Sequence, residues 1–281
     1  MFEAPGLEPL PVSSAIDRAV FTRDYARPRR PVLIRGAVAH WGALARWTPS
    51  FFREHFGDRP VRVEGRSLSF GELVDAIEAS TPSQPAPYLH NHYIYHHLPE
   101  VVADIEPLPE IWHGNLLQHA RFPHAGLLPD GKIGLFLGGD GASFPVLHRD
   151  TFHTHAFVTQ VYGTKSVWLY GPDQTKRVYP KPEVPTHSRI EHPHDPDLNT
   201  YPDFAEVRGY TGTLTPGDTL FIPAWWWHTT YMPETSISVS VNYVDATNRW
   251  AFLADIWRER DGRRPLRKVA TIAKIAALAW R

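Results

Sequence analysis

The part of the chain that most restricts the fold lies between residues 131 and 245, where short apolar runs follow one another with Gly or Pro between them. The runs are rich in β-branched and aromatic residues, which is typical of strands. In the last run Ile237, Val239 and Val241 share one face, while Ser238 and Asn242 share the other. Many short strands in one stretch predict a mainly β fold, a double-stranded β-helix or jelly-roll barrel.

The segments on either side of the barrel have different patterns. Residues 1–125 mix helix and strand signals, including a helix cap at Thr48 and a capping-box spacing that begins at Ser69. The last segment has the apolar spacing of helices. The predicted organisation is therefore N-terminal α/β elements packed on the barrel (1–125), a jelly-roll core (126–245) with a proline- and histidine-rich insert (172–208), and C-terminal helices (246–281).

Composition excludes several classes of protein. The 281 residues carry a formal net charge of -1 and contain no cysteine, so disulfides, thiolate metal sites and cysteine nucleophiles are excluded. The near-neutral charge predicts no nucleic-acid partner. The first residues lack a basic segment followed by an apolar one, and no run is long enough for a membrane span. These features favour a cytoplasmic protein without a membrane partner.

Three residues in the barrel region are candidate metal ligands. His148 and Asp150 follow the apolar run FPVLH, where an extended backbone would place both side chains on one face. A histidine-rich chain contains such a triplet by chance, so the hypothesis needs a third ligand, and His228 at the end of PGDTLFIPAWWWH is the candidate. Two imidazoles and one carboxylate are typical of iron sites that leave positions open for oxygen chemistry. Lys165, predicted to point inward, would need an anion as partner.

The order of these motifs resembles a known family. PVLIRGAVAHWG, PYLHNH, LHRD, QVYGTKSVWLYGPDQ, PGDTLFIPAWWWH and SISVSVNY occur in the order found in the cupin-like, JmjC-type Fe(II)- and 2-oxoglutarate-dependent oxygenases. Within that family the chain is most similar to the branch with the asparaginyl hydroxylase of hypoxia-inducible factor. One departure is TFHTHAF, residues 151–157, which occupies the place of an asparagine-containing segment.

The resemblance implies roles for individual residues. It implies Fe(II) as the metal and 2-oxoglutarate as the cosubstrate, with no catalytic side chain beyond the metal ligands. His148, Asp150 and His228 resemble the iron ligands. Lys165 is similar to the partner of the distal carboxylate of 2-oxoglutarate. Tyr88, Asn242 and Ser143 resemble residues that line the cosubstrate.

The remaining histidines have less specific interpretations. His153 and His155 are interpreted as polar lining or as hydrogen-bond partners around the site rather than as further ligands. His192 and His194, with Asp195, are interpreted as part of a surface loop.

The function implied by the resemblance is hydroxylation of a C–H bond in a protein or peptide side chain or in a small molecule, with succinate and CO2 as coproducts. Demethylation is less favoured. Two alternatives stay open: a non-catalytic cupin-like protein that binds a metal or ligand, and a metal enzyme without 2-oxoglutarate. The C-terminal helices are candidates for a homodimer interface.

Overall fold

The strands predicted after residue 131 form the barrel in the computed structural model, which describes residues 6–14, 16–123, 132–144, 146–259 and 265–278. A seven-stranded sheet has the order β2-β3-β11-β8-β13-β7-β6, a four-stranded sheet has the order β1-β10-β9-β12, and β4 pairs with β5. The strands are β1 Gly6–Pro9, β2 Val12–Ser13, β3 Val32–Ile34, β4 Pro60–Val63, β5 Arg66–Ser69, β6 Leu89–Tyr93, β7 Gly134–Gly138, β8 His155–Tyr162, β9 Lys165–Tyr170, β10 Arg208–Leu214, β11 Thr219–Ile222, β12 Trp227–Tyr231 and β13 Ser236–Tyr243.

In the sequence, the α-helices lie before residue 125 or after residue 245, as predicted. Thr48 caps α3 by accepting a hydrogen bond from the Phe51 N–H, and Ser69 and Glu72 form the capping box of α4. The helices are α1 Arg18–Phe21, α2 Ala43–Arg46, α3 Pro49–Phe56, α4 Phe70–Glu78, α5 Ile94–His97, α6 Arg249–Arg258 and α7 Pro265–Leu278. Among the described residues, no helix is both long enough and apolar enough to cross a bilayer.

The N-terminal elements share one core with the larger sheet. Phe52 and Phe70 from α3 and α4 stack at 5.6 Å, in the same buried cluster as Ile237, Val239 and Val241 of β13. Strands β2, β3 and β6, all before residue 125, extend the larger sheet itself. The apolar face of β13 therefore packs against the flanking helices, and its polar face is left for the barrel interior. The predicted division at residue 125 lies outside the described residues and stays a prediction.

The insert at 172–208 is packed against the four-stranded sheet. Its Val178, Ile190 and Phe204 are fully buried in a cluster with Trp168 and Tyr170 of β9. Burial of an aromatic or branched side chain contributes about 1.5–3 kcal/mol, so these side chains hold the insert in place. The insert is therefore anchored on the sheet by a shared apolar cluster.

Two local predictions were wrong. The described residues of the run FPVLH do not form a regular strand. Ser143 makes an isolated bridge to Tyr231, and His148 makes isolated bridges to both His187 and His228. His228 does not end its strand unit but lies second in β12. The apolar stripe predicted for the last helix is Leu266, Val269, Ile272, Ala276 and Trp280, of which the side chains of Leu266 and Trp280 lie outside the described part of the chain. Val269 is 51% exposed, whereas Ile272 and Ala276, together with Ile275, pack in the cluster that includes Phe252 of α6.

Candidate metal centre

The predicted ligands His148, Asp150 and His228 come together at one end of the barrel. Their ligand atoms all lie within 4.8 Å of one another, and His148 Nε2 is 3.8 Å from Asp150 Oδ1. Among the described residues, this is the one group of three or more such side chains close enough to share an ion. The expectation that His148 and Asp150 point to the same side holds, although their segment is not a regular strand.

The backbone and two carbonyl groups set the orientation of both imidazoles. The His148 N–H donates to the His228 carbonyl at 3.1 Å, and the His228 N–H donates to the His148 carbonyl at 2.7 Å. Each ring then donates from Nδ1 to the carbonyl two residues earlier, Val146 and Trp226, both at 3.1 Å. A carbonyl oxygen can only accept, so Nδ1 carries the proton and Nε2 keeps its lone pair. Both histidines are therefore held in the tautomer that binds a metal through Nε2.

Burial favours the neutral form of two of these groups. Burial, together with the nearby His228, lowers the pKa of His148 well below its usual range. Burial raises the pKa of Asp150, while His228 opposes the shift. A divalent cation between the three side chains would favour the ionised carboxylate and the neutral imidazole. A bound cation would therefore oppose the effect of burial on Asp150 and act in the same direction as burial on His148.

Lys165 and Tyr88 line the same cavity as the three candidate ligands. This cavity has a volume of about 250 Å³, and Phe144, stacked on His148 at 4.3 Å, forms part of its wall. Lys165 is 1% exposed, and its Nζ donates to Ser238 Oγ at 2.5 Å and to the Tyr88 hydroxyl at 3.4 Å. Burial lowers the pKa of Lys165 to about 7. The prediction that Lys165 points inward is confirmed by this geometry.

The other predicted lining residues have different positions. Asn242 lines the cavity and donates from Nδ2 to Thr154 Oγ1 at 2.9 Å. Ser143 pairs with Tyr231 in an isolated bridge and is not among the residues that line the cavity. Thr230, one residue before Tyr231, lines the cavity instead and lies beside Tyr88. A contact between Ser143 and the cosubstrate stays a prediction, and the structure favours Thr230 for that place.

Sequence reasoning missed two features of the site. Ser238 was placed on the polar face of its strand, but its contact with Lys165 joins two different sheets and could not be predicted from the sequence. His187, from the insert, lines the cavity and lies 6.3 Å from His148 between ring centroids. Its sequence surroundings contain no signal for this position. The insert therefore contributes to the wall of the cavity.

The other histidines have structural contacts, in line with their predicted lack of a ligand role. His155 is fully buried, accepts at Nδ1 from the Ala224 N–H at 2.8 Å, and contacts Thr247 Oγ1 through Nε2 at 3.1 Å. His153 pairs with Asp255 of α6. His194 packs near Tyr231, with ring centroids 4.9 Å apart. None of the three lines the cavity.

Comparisons with known proteins agree with this geometry. The family model described as "Cupin-like domain" matches residues 17–248. The chain is 30% identical over 240 residues to the lysine-specific demethylase 8 of Danio rerio, covering 78% of this chain and 54% of that protein. It is 25% identical over 266 residues to the human bifunctional peptidase and (3S)-lysyl hydroxylase JMJD7, covering 79% of this chain and 80% of that protein. It is also 26% identical over 273 residues to the tRNA wybutosine-synthesizing protein 5 of Danio rerio, covering 83% and 74%.

The extent of these matches supports a family assignment at the level of the domain. The chain spans about half the length of the first two curated relatives it matches, 54% and 49%. The names of three other matched relatives refer to a Jumonji C domain, to a lysyl hydroxylase, and to an arginine demethylase and lysyl-hydroxylase. The particular similarity to the asparaginyl hydroxylase of hypoxia-inducible factor stays a prediction. The family model covers most of the chain, and the predicted jelly-roll fold is confirmed, so this protein belongs to the cupin-like domain family, with relatives of the JmjC type.

Proposed function

We propose that this protein is an Fe(II)- and 2-oxoglutarate-dependent oxygenase. The observation that carries the proposal is a buried lysine in the same cavity as a His-Asp-His group. Both hydrogen-bond partners of Lys165 Nζ, Ser238 and Tyr88, are neutral. Among the described residues, no carboxylate lies within ion-pair distance of Nζ. A buried ammonium without an anion is unfavourable, and a carboxylate of the cosubstrate would supply the missing charge.

The residues present fit the two groups. Two imidazoles and one carboxylate suit a first-row divalent ion and leave coordination positions for other ligands. Fe(II) and 2-oxoglutarate, when bound, supply the oxidising chemistry, in which the cosubstrate is converted to succinate and CO2 and a substrate C–H bond is oxidised. A metal cupin that does not use 2-oxoglutarate would give Lys165 no partner. His148, Asp150 and His228 would hold the ion, and Lys165 the distal carboxylate of the cosubstrate.

The chain's own residues then have three tasks. The carbonyls of Val146 and Trp226 keep both imidazoles in the metal-binding tautomer. Lys165 carries the proton that balances the cosubstrate carboxylate, with Tyr88 beside it. Aromatic side chains that include Phe144 form part of the cavity wall and limit the space left for a substrate. Groups held in fixed positions in this way lower the cost of orienting the reactants.

We further propose a protein or peptide side chain as the substrate. The names of the relatives refer to lysine demethylation and (3S)-lysyl hydroxylation. In addition, the cavity of about 250 Å³ is smaller than the pockets of about 300–1,000 Å³ that hold drug-sized molecules. After binding the cosubstrate it would admit one side chain rather than a large metabolite. Hydroxylation is the favoured outcome, with demethylation as the second.

The decisive experiment is anaerobic titration of the full chain with Fe(II) and 2-oxoglutarate. We expect a visible metal-to-ligand charge-transfer band and slow succinate formation once air is admitted. Asp150→Ala should lose the band, whereas Asp203→Ala, which removes an exposed carboxylate, should keep it. A parent chain that binds metal but shows neither band nor succinate would refute the oxygenase and favour the non-catalytic alternative.

We also propose a homodimer through the C-terminal helices. Trp250 and Trp257 of α6 are 57% and 54% exposed, and their spacing of two helical turns places both large apolar side chains on one face of the helix. Sedimentation equilibrium should give twice the chain mass, and Trp257→Glu should reduce it to the chain mass. Val184→Glu, at an exposed position of the insert, is the control. The absence of nucleic-acid and membrane partners and the cytoplasmic location stay predictions.

A further inference from the structure

The turn that follows Asp150 has an uncommon backbone. Phe152 and His153 have φ values of 56° and 48°, in the left-handed region that residues other than Gly, Asn, Asp and His rarely adopt. Two such residues in succession persist only where their surroundings hold them. This turn lies within the TFHTHAF stretch that departs from the family pattern. The turn joins the candidate ligand Asp150 to strand β8. Its backbone conformation therefore affects the position of the Asp150 carboxylate.

Residues of helix α6 and its N-terminal cap hold the turn in this conformation. His153 Nδ1 lies 2.5 Å from Asp255 Oδ2, and Asn248 Nδ2, at the cap of α6, donates to the His153 carbonyl at 2.9 Å. Phe152 packs near Phe252, with ring centroids 6.2 Å apart. Asn248 is 1% exposed and Asp255 is largely buried, so these contacts are shielded from water. Contacts from one helix therefore fix both left-handed residues.

The same histidine connects the turn to the second ligand segment. The His153 ring stacks on Trp225, with centroids 4.3 Å apart and planes 25° apart, and the Arg149 guanidinium carbon lies 3.6 Å from the centre of the Trp225 ring. Two groups this close to one ring centre must lie on opposite faces of it. The backbone of Trp225 is also in the left-handed region, with φ of 69°, and this residue lies three positions before His228. Arg149 lies between His148 and Asp150, so both ligand-bearing segments meet at the Trp225 ring.

We propose that Asp255 is a positioning residue for the metal site. By holding the His153 imidazole flat against Trp225, it fixes the backbone on both sides of the stack, and with it Asp150 and His228. Asp255 does not line the cavity. It also pairs with Arg258, and its charge acts on Arg149, but its route to the ligands is through His153. The identity of the metal rests on the proposed function, but the positioning of the three ligands does not.

The test is Mn(II) affinity of the full chain, measured by isothermal titration calorimetry. Asp255→Ala is expected to weaken Mn(II) binding about tenfold, the lower end of the loss seen when groups behind metal ligands are removed. Asp255→Asn keeps an acceptor for the imidazole and should recover most of the affinity. The control is Asp75→Ala, which removes an ion-paired aspartate on α4, far in sequence from the three ligands and from α6. This variant should leave the Mn(II) affinity unchanged.

A double-mutant cycle separates positioning from a general loss of stability. Asn tolerates the left-handed region, so His153→Asn removes the imidazole without adding the backbone strain that most other side chains would cause. If Asp255 acts through His153, Asp255→Ala should then cause no further loss of Mn(II) affinity in the His153→Asn background. The inference would be overturned if the two losses of Mn(II) affinity multiply, or if folded Asp255→Ala protein binds Mn(II) within twofold of the parent affinity.

Failure of this inference can be distinguished from failure of the proposed function. A parent that binds no Mn(II) would overturn the metal site itself, whereas normal Mn(II) binding without the 2-oxoglutarate band would overturn the proposed function alone.

Discussion

His148 and His228 exchange both of their main-chain hydrogen bonds, although 80 residues separate them in the sequence. This pairing fixes the distance between the two imidazoles through the backbone. The two Nδ1 contacts then fix the direction of each ring. The site is therefore arranged by the fold before any ion binds, and only a small reorganisation is expected on binding.

Removal of His228 should abolish tight metal binding, whereas removal of His187 should not. His228→Ala deletes one of three ligands, and we expect at least a hundredfold loss of Mn(II) affinity by calorimetry. His187→Ala removes a histidine that lines the cavity but lies outside the group of three. Its affinity should stay within about threefold of the parent, since coordination depends on the direct ligands. Equal losses in the two variants would place a fourth ligand on the insert.

Lys165→Met should make the protein more stable and its cosubstrate binding weaker. Lys165 is buried without an anion, so an apolar side chain of similar length removes an unfavourable buried charge. We expect the apo Tm to rise by a few degrees. The affinity for 2-oxoglutarate should fall by about ten- to a hundredfold, which corresponds to a lost hydrogen bond to a charged group of about 1.5–3 kcal/mol.

The matched control for this change is Lys176→Met, which removes the same charge from an exposed position. It should alter neither Tm nor 2-oxoglutarate affinity. Scanning calorimetry and cosubstrate titration measure the two quantities separately. A fall in the Tm of Lys165→Met would show that Lys165 stabilises the fold and would contradict the assignment.

Cosubstrate binding should take up a proton above neutral pH. The pKa of Lys165 is lowered from 10.5 to about 7 in the folded protein, and a bound carboxylate would raise it again. At about pH 8.5 the free lysine is mostly neutral, so binding should take up close to one proton, and at about pH 6 close to none. Calorimetry in buffers of different ionisation enthalpy measures this uptake. Uptake that is independent of pH would exclude Lys165 as its source.

The same shift predicts how stability depends on pH. Between about pH 7 and 10.5 the unfolded chain binds more protons at Lys165 than the folded protein does, so this residue destabilises the fold most at low pH. The Tm advantage of Lys165→Met should therefore be greatest below pH 7. It should shrink as pH rises toward 10.5.

Phe204→Ala should loosen the insert. Phe204 is fully buried and packs edge-on against Tyr170 of β9, with ring centroids 5.6 Å apart. Loss of a buried phenylalanine costs about 3–5 kcal/mol, and the effect here should be concentrated in residues 172–208. Hydrogen exchange should show faster exchange there and little change in β13. Tyr201→Ala, a partly exposed aromatic of the same insert, is the control with a smaller expected effect.

The sequence alone determined the composition of the site and the class of fold. Period-two alternation showed which residues of β13 share a face, and helix caps are local signals that were read at Thr48 and Ser69. The types and order of His148, Asp150, Lys165 and His228 indicated a metal site, and the resemblance of the surrounding motifs to a known family implied the chemistry. These features depend on neighbours in the chain, so they can be read from it.

The tertiary structure decided the partners of these residues. The contact between Lys165 of β9 and Ser238 of β13 joins two different sheets. It depends on how the sheets face each other across the barrel, which the alternation within one strand does not specify. The wall formed by His187 depends on how the insert packs. The left-handed turn at Phe152 and His153 exists because α6 holds it, and no local signal predicts such a turn. Local pattern therefore identified the ligands, and long-range packing determined how they are held.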